Sequence, residues 1–275
     1  MTKQLLWLAL ALPLCAADNP KVEMETTYGK LTIELYMDDA PNTVVSFLTL
    51  AEKGFYDGLK FHRIIKGFMA QGGDPEGTGR GGPGYGLPAE FNARRHVRGT
   101  LSMARTFEPN TGGSQFFLCF KEVPFLDDQY TAFGQVVEGD EVLTKMETEA
   151  GADRDPQPPR AEVKIVKVKV LSKPDKLPTL VTLKEDQTPF LGIQGIDIKA
   201  QGRGVAITSL IPQGGCAQSG LHEGDLIEKI GGTDVKTLQD YAKAIVAMKP
   251  GDKLTFTVRR GDESVDVPVT ALRMQ

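Results

Sequence analysis

The side chains that carry most enzymatic chemistry are scarce in this chain of 275 residues, which has three histidines, three cysteines and one tryptophan. His62, His96 and His222 show no metal-like spacing, so neither a metal site nor any other cofactor is expected. No Cys–His or Ser–His–Asp set stands in a recognisable nucleophile context. Cys119 and Cys216 fall in different halves of the chain, so an intramolecular disulfide is not expected even in an oxidising compartment. Cys119 lies in the apolar run 116–120 and reads as a small buried hydrophobe. An excess of charge is also missing: 32 basic and 36 acidic residues give a formal net charge of −4. Without a clustered basic surface, nucleic acid is not an expected partner. Lys167 and Lys169 alternate with Val166, Val168 and Val170, which reads as the wet face of a strand. Long apolar runs are absent beyond the N-terminus, so no membrane span is expected in the mature chain. One apparent fingerprint, Gly77-x-Gly79-x-x-Gly82, neither follows a clear parallel strand nor opens a helix, because Pro83 and Gly84 come next. It lacks the context that dinucleotide binding needs.

What is present describes two domains and a leader. Lys3, the apolar run 5–14 and Cys15-Ala16-Ala17 match a secretory signal peptide of residues 1–17, cut near Ala17. A retained membrane anchor is the alternative. A lipoprotein reading through Cys15 is weakened by bulky Leu14. The expected location is periplasmic or secreted. Segments 22–28 and 31–36 flank Gly29-Lys30 and read as a hairpin. Asp38-Asp39-Ala40-Pro41 then introduces a helix whose apolar face is Val44, Phe47, Leu48 and Ala51, stopped by Gly54. Short apolar runs recur at 61–65, 68–71, 101–104, 116–120, 133–137 and 163–171, the last with a phase change between Ile165 and Val166 that predicts a bulge. Many short strands and few helices imply a mainly β fold, closed or nearly so. Residues 173–188 are polar and proline-bearing and read as a linker between a domain at 21–172 and another at 189–272. In the second domain, strands are expected at 205–210, 226–230, 254–259 and 265–269. Leu238, Tyr241, Ala242 and Ile245 form one face of a helix ended by Pro250-Gly251.

The strings FHRIIKGFMAQGGD (61–74), GTLSMAR (99–105), PNTGGSQFF (109–117) and FLDDQYTAFGQV (125–136) follow each other at spacings that resemble the cyclophilins. The resemblance covers about 22–171. It implies an eight-stranded antiparallel barrel with two capping helices and a peptidyl-prolyl cis–trans isomerase acting on proline-containing polypeptides. By the same matching, Arg63 is the catalytic arginine. Phe68, Met69, Phe117 and Leu126 line the proline pocket. Gln71 and Gln115 hold the substrate backbone or Arg63, and His62 and Ala104 complete the rim. Three positions depart from the best-known eukaryotic pattern: Phe125 replaces a tryptophan that contacts cyclosporin, Tyr130 replaces a histidine, and Arg105 replaces an asparagine. An aromatic wall survives, but an indole N–H donor is lost. Weak cyclosporin binding is therefore expected, and nanomolar affinity in a titration would contradict it.

Phe190-Leu191-Gly192-Ile193, GGCAQSGLHEGDLIEKIGGTDV (214–235) and VRRGDESVDVPV (258–269) resemble bacterial-type PDZ domains over about 188–272. That resemblance implies a small, partly open β-barrel with two helices. The N–H groups of Leu191, Gly192 and Ile193 would meet a terminal carboxylate, and Ile193, Ala242 and Ile245 would wall the pocket. A captured C-terminal peptide or partner protein would add a strand there. The joint reading is a foldase for exported proteins. The alternatives are a scaffold with incidental isomerase activity and a chaperone using both grooves.

Overall fold

The computed structural model describes residues 19–184, 188–197 and 204–273. The N-terminal domain contains β1 (Lys21–Thr26), β2 (Gly29–Leu35), α1 (Pro41–Glu52), β3 (Arg63–Ile65), β4 (Met69–Gly72), β5 (Thr100–Met103), β6 (Phe116–Cys119), β7 (Ala132–Glu138), α2 (Asp140–Lys145) and β8 (Ile165–Ser172). These strands form one eight-stranded sheet in the order β3-β4-β6-β5-β7-β2-β1-β8. Its ends meet through the segments just before β3 and β8. Phe61 N–H donates to Val163 O at 2.9 Å, and Ile165 N–H to Leu59 O at 2.8 Å. The sheet thereby closes on itself, and α1 and α2 pack against it.

The hairpin β1–β2 pairs as the alternation requires, with Val22, Met24, Leu31, Ile33 and Leu35 fully buried. The phase change in the last strand is a bulge: Thr26 faces Ile165 but Glu25 faces Lys167, so Val166 is left unpaired and half exposed. Phe47 carries the apolar face of α1 into an aromatic cluster, 4.9 Å from Tyr56 and 5.5 Å from Phe133 between ring centroids. The acids before α1 do not cap it. Glu90 does: its carboxylate accepts the N–H groups of Asn42 and Thr43 and the Thr43 hydroxyl at 2.7–2.9 Å.

The C-terminal domain contains β9 (Pro189–Phe190), β10 (Ile193–Asp197), β11 (Val205–Leu210), α3 (Gly215–Gln218), β12 (Leu226–Ile230), β13 (Thr233–Asp234), α4 (Leu238–Ile245), β14 (Lys253–Arg260), β15 (Glu263–Thr270) and β16 (Leu272–Arg273). The main sheet runs β10-β11-β12-β14-β15, which leaves β10 at an edge. Helix α4 starts on a Thr237–Asp240 capping box and buries Leu238, Tyr241, Ala242 and Ile245. It ends at Ile245, before Pro250, and a turn fills the gap.

The polar segment after β8 is fastened to the first domain. Val181 and Asn42 exchange two hydrogen bonds, Gly86 and Leu183 exchange two more, and Leu177 and Leu180 pack on the barrel core. Its leucines find apolar surface, which its prolines and charges did not advertise. Among the described residues, no helix is long and apolar enough to cross a membrane.

Candidate active site

Strand period places the site. In the register β3–β4–β6, one row joins Arg63, Gln71 and Phe117, and the next joins Ile64, Ala70 and Leu118. Ile64, Ala70 and Leu118 point into the barrel core. Ile65, Met69, Phe117 and Cys119 belong instead to a separate apolar cluster on the outer face, with Leu126, and with Phe68, Ala104 and Tyr130 against it. This cluster frames a cavity of about 130 Å³ lined by Arg63, Phe68, Met69, Gln71, Ala104, Arg105, Phe117, Leu126 and Tyr130.

Arg63 is held through all three of its guanidinium nitrogens. Its Nε and Nη2 donate to Asp155 Oδ1 and Oδ2 at 3.0 and 2.7 Å, a bidentate fork, while Nη1 donates to Gln71 Oε1 at 3.3 Å. The hydrogen bond and charge of Arg63 hold the Asp155 carboxyl below its ordinary pKa. Gln71 Nε2 donates to Gln115 Oε1 at 2.9 Å, and Gln115 Nε2 to Gly81 O at 2.8 Å. That relay fixes the amide oxygen facing Arg63. Arg105 donates to Gln129 O through Nε and Nη2 at 3.0 and 2.9 Å, and its guanidinium lies 4.7 Å from the Tyr130 ring centroid. The residue that departs from the familiar pattern thus braces the aromatic that also departs from it.

Three sequence candidates stand outside the cavity wall. Gln115 lines an adjoining cavity of about 410 Å³ that shares Gln71, Ala104 and Arg105 with the first. Phe125 is exposed, and its ring is tilted against Phe68 with centroids 5.8 Å apart. His62 adjoins the glycine-rich loop near Gly79, its buried Nδ1 has no hydrogen-bond partner, and burial pushes its pKa down. That loop wraps a protein carboxylate instead of a phosphate: Asp74 accepts the N–H groups of Glu76, Thr78 and Gly79.

A Ser–His–Asp array does exist. His96 Nδ1 lies 3.0 Å from Asp127 Oδ1 and Nε2 lies 2.9 Å from Ser102 Oγ. Ser102 and His96 are both fully buried, and the imidazole stacks behind Phe117. No substrate carbonyl reaches that serine, so the array supports the trough wall. Among the described residues, no group of three or more His, Cys, Asp or Glu could hold a metal ion.

The family model for cyclophilin-type peptidyl-prolyl cis–trans isomerases matches residues 21–170. The chain belongs to the cyclophilin-type isomerase family. Its catalytic domain is 52% identical over 131 residues to a peptidyl-prolyl cis–trans isomerase of Synechococcus elongatus, covering 48% of this chain and 89% of the relative. It is 50% identical over 127 residues to a peptidyl-prolyl cis–trans isomerase of Helicobacter pylori, covering 45% of this chain and 77% of the relative. A crystal structure of a Cryptosporidium parvum cyclophilin-type isomerase, solved in the presence of the dipeptide Ala-Pro, superposes with a TM-score of 0.52 at 37% identity. It covers 56% of this chain and 99% of that one. A PDZ model matches residues 189–270, so this cyclophilin carries a PDZ domain after its catalytic one.

In the PDZ domain, Phe190 pairs with Leu272 in the small β9–β16 ladder, and Leu191, Ile193, Ala242 and Ile245 are buried. Gly192 has φ +73°, and a Cβ there would lie 2.8 Å from Gly214 Cα, so glycine is required. The N–H groups of Leu191 and Gly192 converge on one carboxylate, that of Glu108 from the catalytic domain. Neither Glu108 nor Asp155 was a sequence candidate. Each lies more than 80 positions from its partner, where no local pattern operates.

Proposed function

We propose that this isomerase accelerates the folding of exported proteins, twisting Xaa–Pro bonds at Arg63 while its PDZ domain captures client or partner C-termini. Amide resonance opposes rotation with a barrier of roughly 20 kcal/mol. At the twisted transition state the prolyl nitrogen becomes pyramidal and regains a lone pair. A guanidinium N–H aimed at that nitrogen stabilises the twisted form more than the planar one. The Asp155 fork occupies Nε and Nη2 and leaves Nη1 turned to Gln71 and the trough. The apolar wall of Phe68, Met69, Phe117 and Leu126 holds the proline ring and excludes water from the donor. No nucleophile is needed, since no covalent bond breaks.

The observation that carries the catalytic part is Arg63, oriented at the mouth of an outward-facing apolar cavity. In a protease-coupled assay on a prolyl peptide, Arg63→Ala is expected to lower kcat/KM by about a hundredfold, as when one transition-state donor is lost. Equal activity of the two proteins would remove Arg63 from the mechanism. Export rests on the N-terminal pattern, and N-terminal sequencing of the protein from extracytoplasmic fractions should begin just after Ala17. PDZ capture rests on the edge position of β10 and the donor pair of Leu191 and Gly192.

A further inference from the structure

The inference concerns the regulation of the PDZ groove and rests on the reading that the groove takes polypeptide C-termini. The donor pair at its head is already engaged. Glu108 Oε1 accepts from Leu191 N–H at 2.8 Å and from Gly192 N–H at 2.6 Å. Glu108 is 1% exposed, and its second oxygen is enclosed with no hydrogen-bond partner. A terminal carboxylate of a peptide would require the same two donors.

The residues around Glu108 extend the contact along the groove. Phe107 and Pro109 share a cavity with Ile193 and Gln194 of β10 and with Leu238 and Tyr241 of α4. Asn110 Nδ2 donates to Ala242 O in α4 at 2.9 Å. A neighbouring loop joins in: Gln239 Oε1 accepts from Phe91 N–H at 2.7 Å, and its Nε2 donates to Ala89 O at 3.0 Å. Phe91 itself packs on the PDZ core. A segment of the catalytic domain therefore lies between α4 and the edge strand, where a captured peptide would lie, with an acidic side chain standing in for the chain end.

We propose that the 107–110 loop is an intramolecular plug of the PDZ groove, which a polypeptide C-terminus with an apolar last residue displaces. The apolar preference follows from Ile193, Ala242 and Ile245, the side chains left to receive that residue. The plug is built to be exchanged. One Glu108 oxygen is left unpaired in a buried site, a cost that a better-fitting carboxylate avoids. Displacement also reaches the isomerase site, because Arg105 Nη1 donates to Thr106 O and Phe107 O while the same side chain lines the proline trough. Client capture and the shape of the trough are thus linked through one arginine.

The test is made at pH 5 on the full chain, wild type and Glu108→Ala, with rhodamine-labelled decapeptides ending in Val, Leu, Ile, Phe or Ala, each as free acid and as amide. The expected result is at least tenfold tighter binding of a free-acid peptide to Glu108→Ala than to wild type, no binding of the amides, and a larger radius of gyration for the variant in solution scattering. Equal affinity of both proteins for a free-acid peptide would overturn the plug and leave the PDZ reading standing. An open variant that binds none of the peptides would overturn the C-terminus reading and the plug with it. Gln239→Ala weakens the same docking without touching the carboxylate loop and should shift affinity in the same direction; no shift in that variant counts against the plug.

Discussion

Raising the pH from 5 to 8 should weaken the docking of the two domains. Burial pushes the Glu108 carboxyl up from 4.5 to about 7, outweighing the Gly192 and Leu191 N–H bonds and the nearby charge of Arg105. When the domains part, Glu108 returns to water and to an ordinary carboxylate value. Between 4.5 and about 7 the docked state holds a proton that the undocked state has released. Docking is therefore strongest below that window, weakens by roughly 1.4 kcal/mol per pH unit across it, and is constant above it. The whole window amounts to roughly 3 kcal/mol, about two orders of magnitude in the docked-to-undocked ratio. Other groups facing Glu108 do not titrate in this range: burial pushes the Tyr241 hydroxyl and the Cys216 thiol well up, and Arg105 stays charged. Fluorescence energy transfer between dyes at exposed Val166 and Asp262 would follow separation. Transfer should fall with pH in wild type and stay nearly flat in Glu108→Gln. The same pH profile in both proteins would refute the reasoning.

Two further perturbations test other parts of the structure. Asp155→Ala removes the fork that orients Arg63; both side chains are partly exposed, so the loss should be at most about fivefold in kcat/KM, in kcat more than KM. An increase in the prolyl-peptide assay would mean that Asp155 competes with substrate for the guanidinium. Glu90→Ala leaves two N–H groups of the first turn of α1 without their acceptor and should cost about 1–2 kcal/mol in urea unfolding of the catalytic domain; an unchanged midpoint would show that water replaces the cap.

The candidate site was legible through the resemblance of its motifs to the cyclophilins, and strand alternation accounts for which side chains face it. Within β3, β4 and β6 successive residues part to opposite faces: Ile64, Ala70 and Leu118 enter the core, and Arg63, Met69, Gln71 and Phe117 share the outer face. The same local logic gave the β1–β2 hairpin, the Val166 bulge and the apolar face of α4. His62 shows its limit: it stands next to Arg63 in the chain but just before β3, where Phe61 joins Ile64 in the core and His62 lies against the loop at Gly79. The partner of the first turn of α1 has a similar origin. Asp38 and Asp39 are near in sequence, but Glu90, 48 positions beyond Asn42, reaches the N–H groups.

The sequence by itself determined the two β-rich domains, the β1–β2 hairpin and the apolar face of α4, because each depends on residues a few positions apart whose sterics and polarity act locally. Only the tertiary structure decided where the free carboxylates go. Asp155 closes on Arg63, Glu90 on the start of α1 and Glu108 on Leu191 and Gly192. Loops carry these acids, and a loop's path is set by the surfaces it crosses. Whether the second groove stands open or plugged therefore follows from how the two domains meet.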